Sequence, residues 1–362
     1  MTVSKQVYYF FGTCGIVITQ SVILSLIFKK KINKQLHSPT QSSYLFYFMF
    51  TIFLTLMLGI LSLLTMQIDY KCGSLCAKVI RMGLSFNRKK VILNLNIEHT
   101  FYQNKFYVYL EFCTSIISIY YLIKIFTQKQ INKQNKEQYF SQYFNINDKT
   151  ENLLKAIANT EIPFISVSNT EYVFGLDHLC PWTGRNISHE NMLQFIYFLI
   201  LATIGTVSRL IRSVIIIIQE YKFLRLNFPD LNKFLLIPAL YASLDGNQIF
   251  IYFIGILSIV FLIVAGGQCI YQVFFNSRHV INSSLRQKIF DVQKRIKNNT
   301  LVVVCQNDTY ILMPYPIMKT QEELQLWKDS LGQIISTDDI KSAIVKCTIG
   351  QKIKYLKSFY SK

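Results

Sequence analysis

Three side chains in one short segment have the types and spacing needed for thiol chemistry: Asp177, His178 and Cys180, with Pro181 and Trp182 directly after them. A cysteine at its ordinary pKa of about 8.5 is only a few per cent thiolate at neutral pH, so a nucleophilic thiol needs a base or a positive field beside it. His178 could supply either, and Asp177 could fix the imidazole tautomer, as the acid of a catalytic triad does. The same residues could instead form a hydrogen-bonded corner, with Trp182, around a buried and unreactive thiol.

The stretch Asp177-His178-Leu179-Cys180-Pro181-Trp182 resembles the Asp-His-His-Cys-Pro-Trp signature of the DHHC protein S-acyltransferases. Five such matches in a chain of this length are expected by chance roughly once in ten thousand. The likeness continues at Asn191 and Phe195, which match an Asn and a Phe at the start of the family's next span. It covers roughly Phe106 to Arg286 and is strongest from Asp177 to Phe195. The resemblance implies that Cys180 carries a fatty acyl group in thioester linkage, with His178 as base and Asp177 as its orienting acid. It also implies a cytosolic site and a long-chain acyl-CoA donor whose phosphates lie near Arg185.

The resemblance also marks departures. The family's zinc-binding thiols would fall at Ser166, Asn169, Tyr172 and Asn186, and its zinc-binding histidine at Leu179. No zinc or other cofactor is therefore expected, and acyl-CoA only if the chain is active. The family's Thr-Thr-x-Glu motif has its nearest match in Ser283-Ser284-Leu285-Arg286, which keeps two hydroxyls and loses the acid. Two functions stand side by side. One is a degenerate, catalytically inactive pseudoenzyme, kept as an interaction subunit of a larger membrane assembly. The other is an active, zinc-free protein-cysteine S-palmitoyltransferase using Cys180, His178 and Asp177.

The elements that must position these residues are membrane helices. The 362 residues are 51% hydrophobic and 16% charged, with a mean hydropathy of +0.29, too apolar for an ordinary soluble surface. Five stretches can cross a hydrocarbon core, which takes roughly 20 helical residues: Val7 to Phe28, Tyr44 to Ile68, Phe106 to Phe126, Met192 to Ile218 and Ile249 to Phe275. The expected fold is a polytopic α-helical membrane protein of about five transmembrane helices with a small α+β C-terminal extramembrane domain. By residue, 1–68 holds two spans, 69–105 a hairpin cap around Asn87-Arg88-Lys89, and 106–126 the third span. Residues 127–191 form a linker, Gln128 to Asn147, a helix, Lys149 to Asn159, and the DHHC-like segment. Residues 192–275 hold two more spans, and 276–362 the C-terminal domain. Within that domain we expect a basic helix, Ser283 to Lys297, a hairpin turning at Asn307-Asp308, and helices over Gln321 to Ile334 and Asp338 to Lys357. A domain that small wants a docking surface.

The net charge of +18 comes from basic residues concentrated beside the spans, so membrane lipids are the expected partners, with other membrane protein subunits and without nucleic acid. The first apolar run reads as a retained anchor. Integral placement in the mitochondrial inner membrane or an endomembrane is expected. The eight cysteines form no disulfide framework, and Cys72 and Cys76 read as ordinary thiols or as half of a metal site. Within the spans, Arg209 and Arg212 share one helix face and require an acid, for which Glu111 is the internal candidate, or else they snorkel to the interface. His189 and Glu190 read either as an acid-base pair or as capping, solvated residues.

Overall fold

The computed structural model describes residues 40–64, 67–71, 98–102, 104–128, 134–161, 163–168, 171–180, 182–183, 185–227, 229, 255, 258–316 and 320–358. The expected first span, the turn of the hairpin cap, Cys72, Cys76, Asn169 and Pro181 lie outside the described residues. The chain divides into two compact units, Met1–Ile123 with Tyr197–Cys269, and Lys124–Ile196 with Ile270–Lys362.

In the first unit the helices are those of a membrane protein. Among the described residues, three helices are long and apolar enough to cross a membrane: Lys105–Thr127 (α2), Met192–Asn227 (α5) and Ser258–Arg278 (α6). A shorter apolar helix, Phe48–Ile60, lies within Thr40–Leu64 (α1). The second expected span thus ends before Ile68, because Gln67–Lys71 (β1) pairs antiparallel with Glu98–Tyr102 (β2). The fourth runs on past Ile218 to Asn227.

Large apolar side chains such as Ile116, Ile117, Ile204, Ile211, Ile218 and Ile263 face outward, as lipid-exposed surfaces require. Small and polar residues face inward. A Cβ at Gly205 would come 2.7 Å from Thr114 Oγ1, so these backbones approach closely. Ser208 Oγ donates to the Tyr107 carbonyl at 3.2 Å. Glu111 lies between two guanidinium groups, 3.5 Å from Arg209 Nε and 3.1 Å from Arg212 Nε, with all three residues buried. The arginines therefore end at an acid inside the unit and not at the interface.

The second unit is mixed α and β. Gln134–Tyr143 (α3) occupies the stretch read above as linker. Its aromatics recur at helical spacing, which places Phe140 fully inside the core against Phe144, Phe164 and Phe174. Asp148–Ala158 (α4) begins where the Asn147 side chain accepts from the Thr150 N–H at 2.8 Å and ends at Asn159 in the left-handed conformation. Two hairpins follow, Ile165–Ser168 (β3) with Glu171–Phe174 (β4), and His178–Cys180 (β5) with Arg185–Ile187 (β6).

After the basic helix Ser283–Lys297 (α7), Leu301–Gln306 (β7) pairs with Thr309–Pro314 (β8) through Asn307 and Asp308, both at positive φ. Two expected helices are corrected by the structure. The first, Gln321–Ser330 (α8), stops short because Gly332 lies against the Cys305 carbonyl and delivers Gln333–Ile334 (β9) to the edge of β7. The second is broken into Thr337–Ser342 (α9) and Ile349–Ser358 (α10), because the backbone between them pairs with 278–280. The C-terminal segment shares one compact unit with the DHHC-like segment.

Candidate active site

Strand geometry brings the candidate nucleophile and its candidate base together. His178 and Cys180 are two residues apart on β5, so their side chains leave the same face. His178 Nδ1 lies 2.8 Å from Asp177 Oδ2. That contact directs the imidazole Nδ1–H at the carboxylate and leaves the opposite nitrogen for chemistry. On its other side the His178 ring meets Phe195 edge to face, with centroids 5.4 Å apart.

Asp177 is buried and heavily solvated by protein donors. Gln272 Nε2 donates to Oδ2 at 2.8 Å, and Asn276 Nδ2 to Oδ1 at 2.9 Å. Ser283 adds its hydroxyl to Oδ1 at 2.5 Å and its N–H at 3.2 Å. Burial alone would raise the carboxyl pKa, but the hydrogen bonds from His178 and Ser283, with the His178 charge, hold it well below the usual carboxylate range. Burial likewise pulls His178 down, and its hydrogen bonds to Asp177 and Cys180 reverse this and raise it to about 9. At neutral pH the pair is a carboxylate and an imidazolium.

Ser283 belongs to the nearest match to Thr-Thr-x-Glu, and its hydroxyl does the anchoring. Arg286, at the position of the lost acid, is buried and donates to Asn276 Oδ1 at 2.7 Å and to the Tyr271 hydroxyl at 3.3 Å. It aims the Asn276 amide at Asp177. Gln272 and Asn276 were not among the sequence candidates. Their signal was a row of three amides four apart, Gln268, Gln272 and Asn276, on one face of a largely apolar run, where polar groups mark function. Around them α6 departs from α geometry, with a π turn at Tyr271–Phe275 and a 3-10 turn at Asn276–Arg278.

The other expected site residues are placed as follows. Asn191 donates Nδ2 to the Asn186 carbonyl at 2.9 Å, accepts from the Ser188 N–H at 2.9 Å, and stands at the start of α5. Trp182 is 45% exposed. Arg185 donates Nε to the Phe126 carbonyl at 3.1 Å and lies over the Phe126 ring at 5.1 Å. His189 and Glu190 are buried, which corrects the expectation of solvated residues. His189 Nε2 meets Asn282 Oδ1 at 2.6 Å, and the Glu190 carbonyl accepts from Gln128 Nε2 at 2.7 Å. Glu111, Arg209 and Arg212 belong to the membrane unit described above. Cys180 is 3% exposed.

Residues 165–284 match the family model of the DHHC palmitoyltransferases. They form a DHHC palmitoyltransferase domain. No curated protein and no solved structure matches the chain. Together with the apolar helices, the DHHC domain makes this an integral, palmitoyltransferase-like membrane protein.

Zinc fits this DHHC domain poorly. Leu179 and Asn186, at two of the family's ligand positions, are direct cross-strand partners and bring a hydrocarbon and an amide to that place. Ser166 and Tyr172, at two more, lie on the β3–β4 hairpin, and neither residue type is a thiolate. No step below is routed through a metal.

Proposed function

We propose that the chain is a protein-cysteine S-acyltransferase whose nucleophile is Cys180. The observation that supports this most is the placement of Cys180 and His178 on one face of β5, with His178 bonded to an Asp177 carboxylate that is held by donors from Gln272, Asn276 and Ser283. A buried carboxylate given that many donors is built to stay ionised, and its use is to hold an imidazolium against a thiol.

In this reading the Cys180 thiolate, stabilised by His178, attacks the thioester carbonyl of a long-chain acyl-CoA. The C–S bond to coenzyme A breaks, the CoA sulfur leaves with the His178 proton, and acyl-Cys180 remains. His178, now neutral, takes the proton of a substrate cysteine, whose sulfur displaces Cys180 and carries the acyl group away. Asp177 stays ionised throughout and balances the imidazolium charge.

The test is incubation of the full chain with labelled palmitoyl-CoA. Hydroxylamine-sensitive label on the Cys180 peptide, lost in Cys180→Ser, is expected. Its absence from wild type defeats the proposal.

A second reading is a pseudoenzyme serving as an interaction subunit. The 3% exposure of Cys180 favours it, since an acyl donor must reach that sulfur. Stable co-purification of membrane proteins with an unlabelled Cys180 would be its signature.

A further inference from the structure

Where zinc fits poorly, something else must hold the catalytic strand. Lys352, on α10, is 3% exposed. A buried ammonium persists only where its protons are answered. Lys352 Nζ donates to the Val280 carbonyl at 2.6 Å and to Asn282 Oδ1 at 3.3 Å, and lies 6.0 Å from the centre of the Phe144 ring. Burial lowers its pKa to about 8.

Asn282 is the junction. Its Oδ1 also accepts from His189 Nε2, and its Nδ2 donates to the Gly175 carbonyl. The next residue is Ser283, which grips Asp177, and Gly175 stands two residues before Asp177. The His189 ring is held in turn by Phe140, stacked at 5.1 Å, and by the rings of Phe174 and Tyr355 at 5.5 and 5.7 Å. Gly175 rests on that ring; a Cβ there would come 2.5 Å from His189 Cγ, and its φ of +61° disfavours other residues. The backbone brings α10 to this place, with Val280 N–H bonded to the Val345 carbonyl at 3.0 Å and Cys347 N–H to the Arg278 carbonyl at 2.9 Å.

We propose that Lys352, Asn282 and His189 form a metal-free clamp that fixes the Asp177–Cys180 strand in its working geometry. A structural metal works by tying together segments far apart in sequence. Here one side-chain cluster ties Gly175, His189, Val280 and Lys352, so the C-terminal helix performs the tie. These are positioning residues, acting through Ser283 and Gly175 on Asp177. The inference rests on the acyltransferase reading for its purpose.

The test uses the full chain in lipid nanodiscs. In wild type, elemental analysis should find substoichiometric zinc, and a chelator should change neither Cys180 acylation nor the pH profile of Cys180 alkylation by iodoacetamide, read on its own peptide. Lys352→Met should lower the single-turnover acylation rate about 10- to 100-fold at an unchanged half-saturating palmitoyl-CoA concentration. It should also move the alkylation profile toward that of His178→Ala. Lys352→Gln, which keeps a donor, should recover part of both.

One zinc per chain with loss of rate on chelation overturns the proposal, as does a Lys352→Met protein indistinguishable from wild type. If Lys352→Met does not fold, the wild-type metal measurements and Lys352→Gln decide. If wild type takes no palmitate, the acyltransferase reading falls, while alkylation and zinc content still judge the clamp.

Discussion

Replacing Asp177 by asparagine conserves volume while removing a charge and turning one acceptor oxygen into a donor. In the native site Oδ2 accepts from His178 and Gln272, both at 2.8 Å, and Oδ1 from Asn276 at 2.9 Å and Ser283 at 2.5 Å. An amide can satisfy only one of these pairs, and its NH2 must face the other. Hydrogen bonds to a charged group contribute roughly 1.5 to 3 kcal/mol each, so losing two removes about 3 to 6 kcal/mol. Ser283 can turn its hydroxyl to recover some of this, which leaves on the order of 3 kcal/mol and, at 1.36 kcal/mol per tenfold, about a hundredfold in rate.

The pH response moves as well. His178, held at about 9 in the native site, returns toward its ordinary value of 6.5 when the carboxylate is gone. Single-turnover acylation of Cys180 from labelled palmitoyl-CoA, followed from pH 6 to 10, measures both effects. Wild type should lose activity as the pH rises through about 9, when the imidazolium that protonates the leaving sulfur disappears. Asp177→Asn should be about a hundredfold slower at neutral pH, with its alkaline limb displaced downward. A variant with the wild-type rate constant and the wild-type limb, at an unchanged melting temperature, would refute the reasoning.

Further outcomes follow from other contacts. Ser283→Ala removes one charged hydrogen bond and should slow acylation about tenfold, leaving palmitoyl-CoA affinity intact in a titration. Glu111→Gln leaves two buried guanidinium groups facing a neutral amide and should destabilise the membrane unit by about 3 to 5 kcal/mol, visible as a lower midpoint in a denaturation series in detergent. Gly175→Ala should lower the melting temperature by several degrees, since its Cβ collides with His189. His178, with a folded pKa raised from 6.5 to about 9, adds stability that is complete below 6.5 and lost as the pH rises through 9. The difference in melting temperature between wild type and His178→Gln should therefore shrink across that window.

Patterns confined to neighbouring residues were legible in the sequence. The apolar runs at Phe106 and Met192 became helices long and apolar enough to cross a membrane, and Asn307-Asp308 became a turn because both residues tolerate positive φ. Helices failed where a distant partner won: Gln333–Ile334 takes the free edge of β7, and Val345 bonds to Val280. The polar stretch at Gln128 concealed the aromatic face of α3, since Tyr139, Phe140, Tyr143 and Phe144 are interleaved with glutamine and serine. Asp177, His178 and Cys180 of the candidate site were visible in their own hexapeptide. Their supports were not, because nothing local to Gln272, Asn276 or Lys352 says that they meet Asp177 or Asn282.

The Asp177 carboxylate is answered by groups 95, 99 and 106 residues further along the chain. At roughly 5 to 20 residues per second, a ribosome needs about 5 to 20 s to supply them after Asp177 has emerged. During that interval His178 and Cys180 exist without the frame that couples them. A nascent chain therefore leaves its thiol unpaired with a fixed imidazolium until α6 and the start of α7 have been made. Truncation before Gln272 would release a chain that carries the motif but none of these donors, so the frame of the candidate site is complete only once Ser283 has been made.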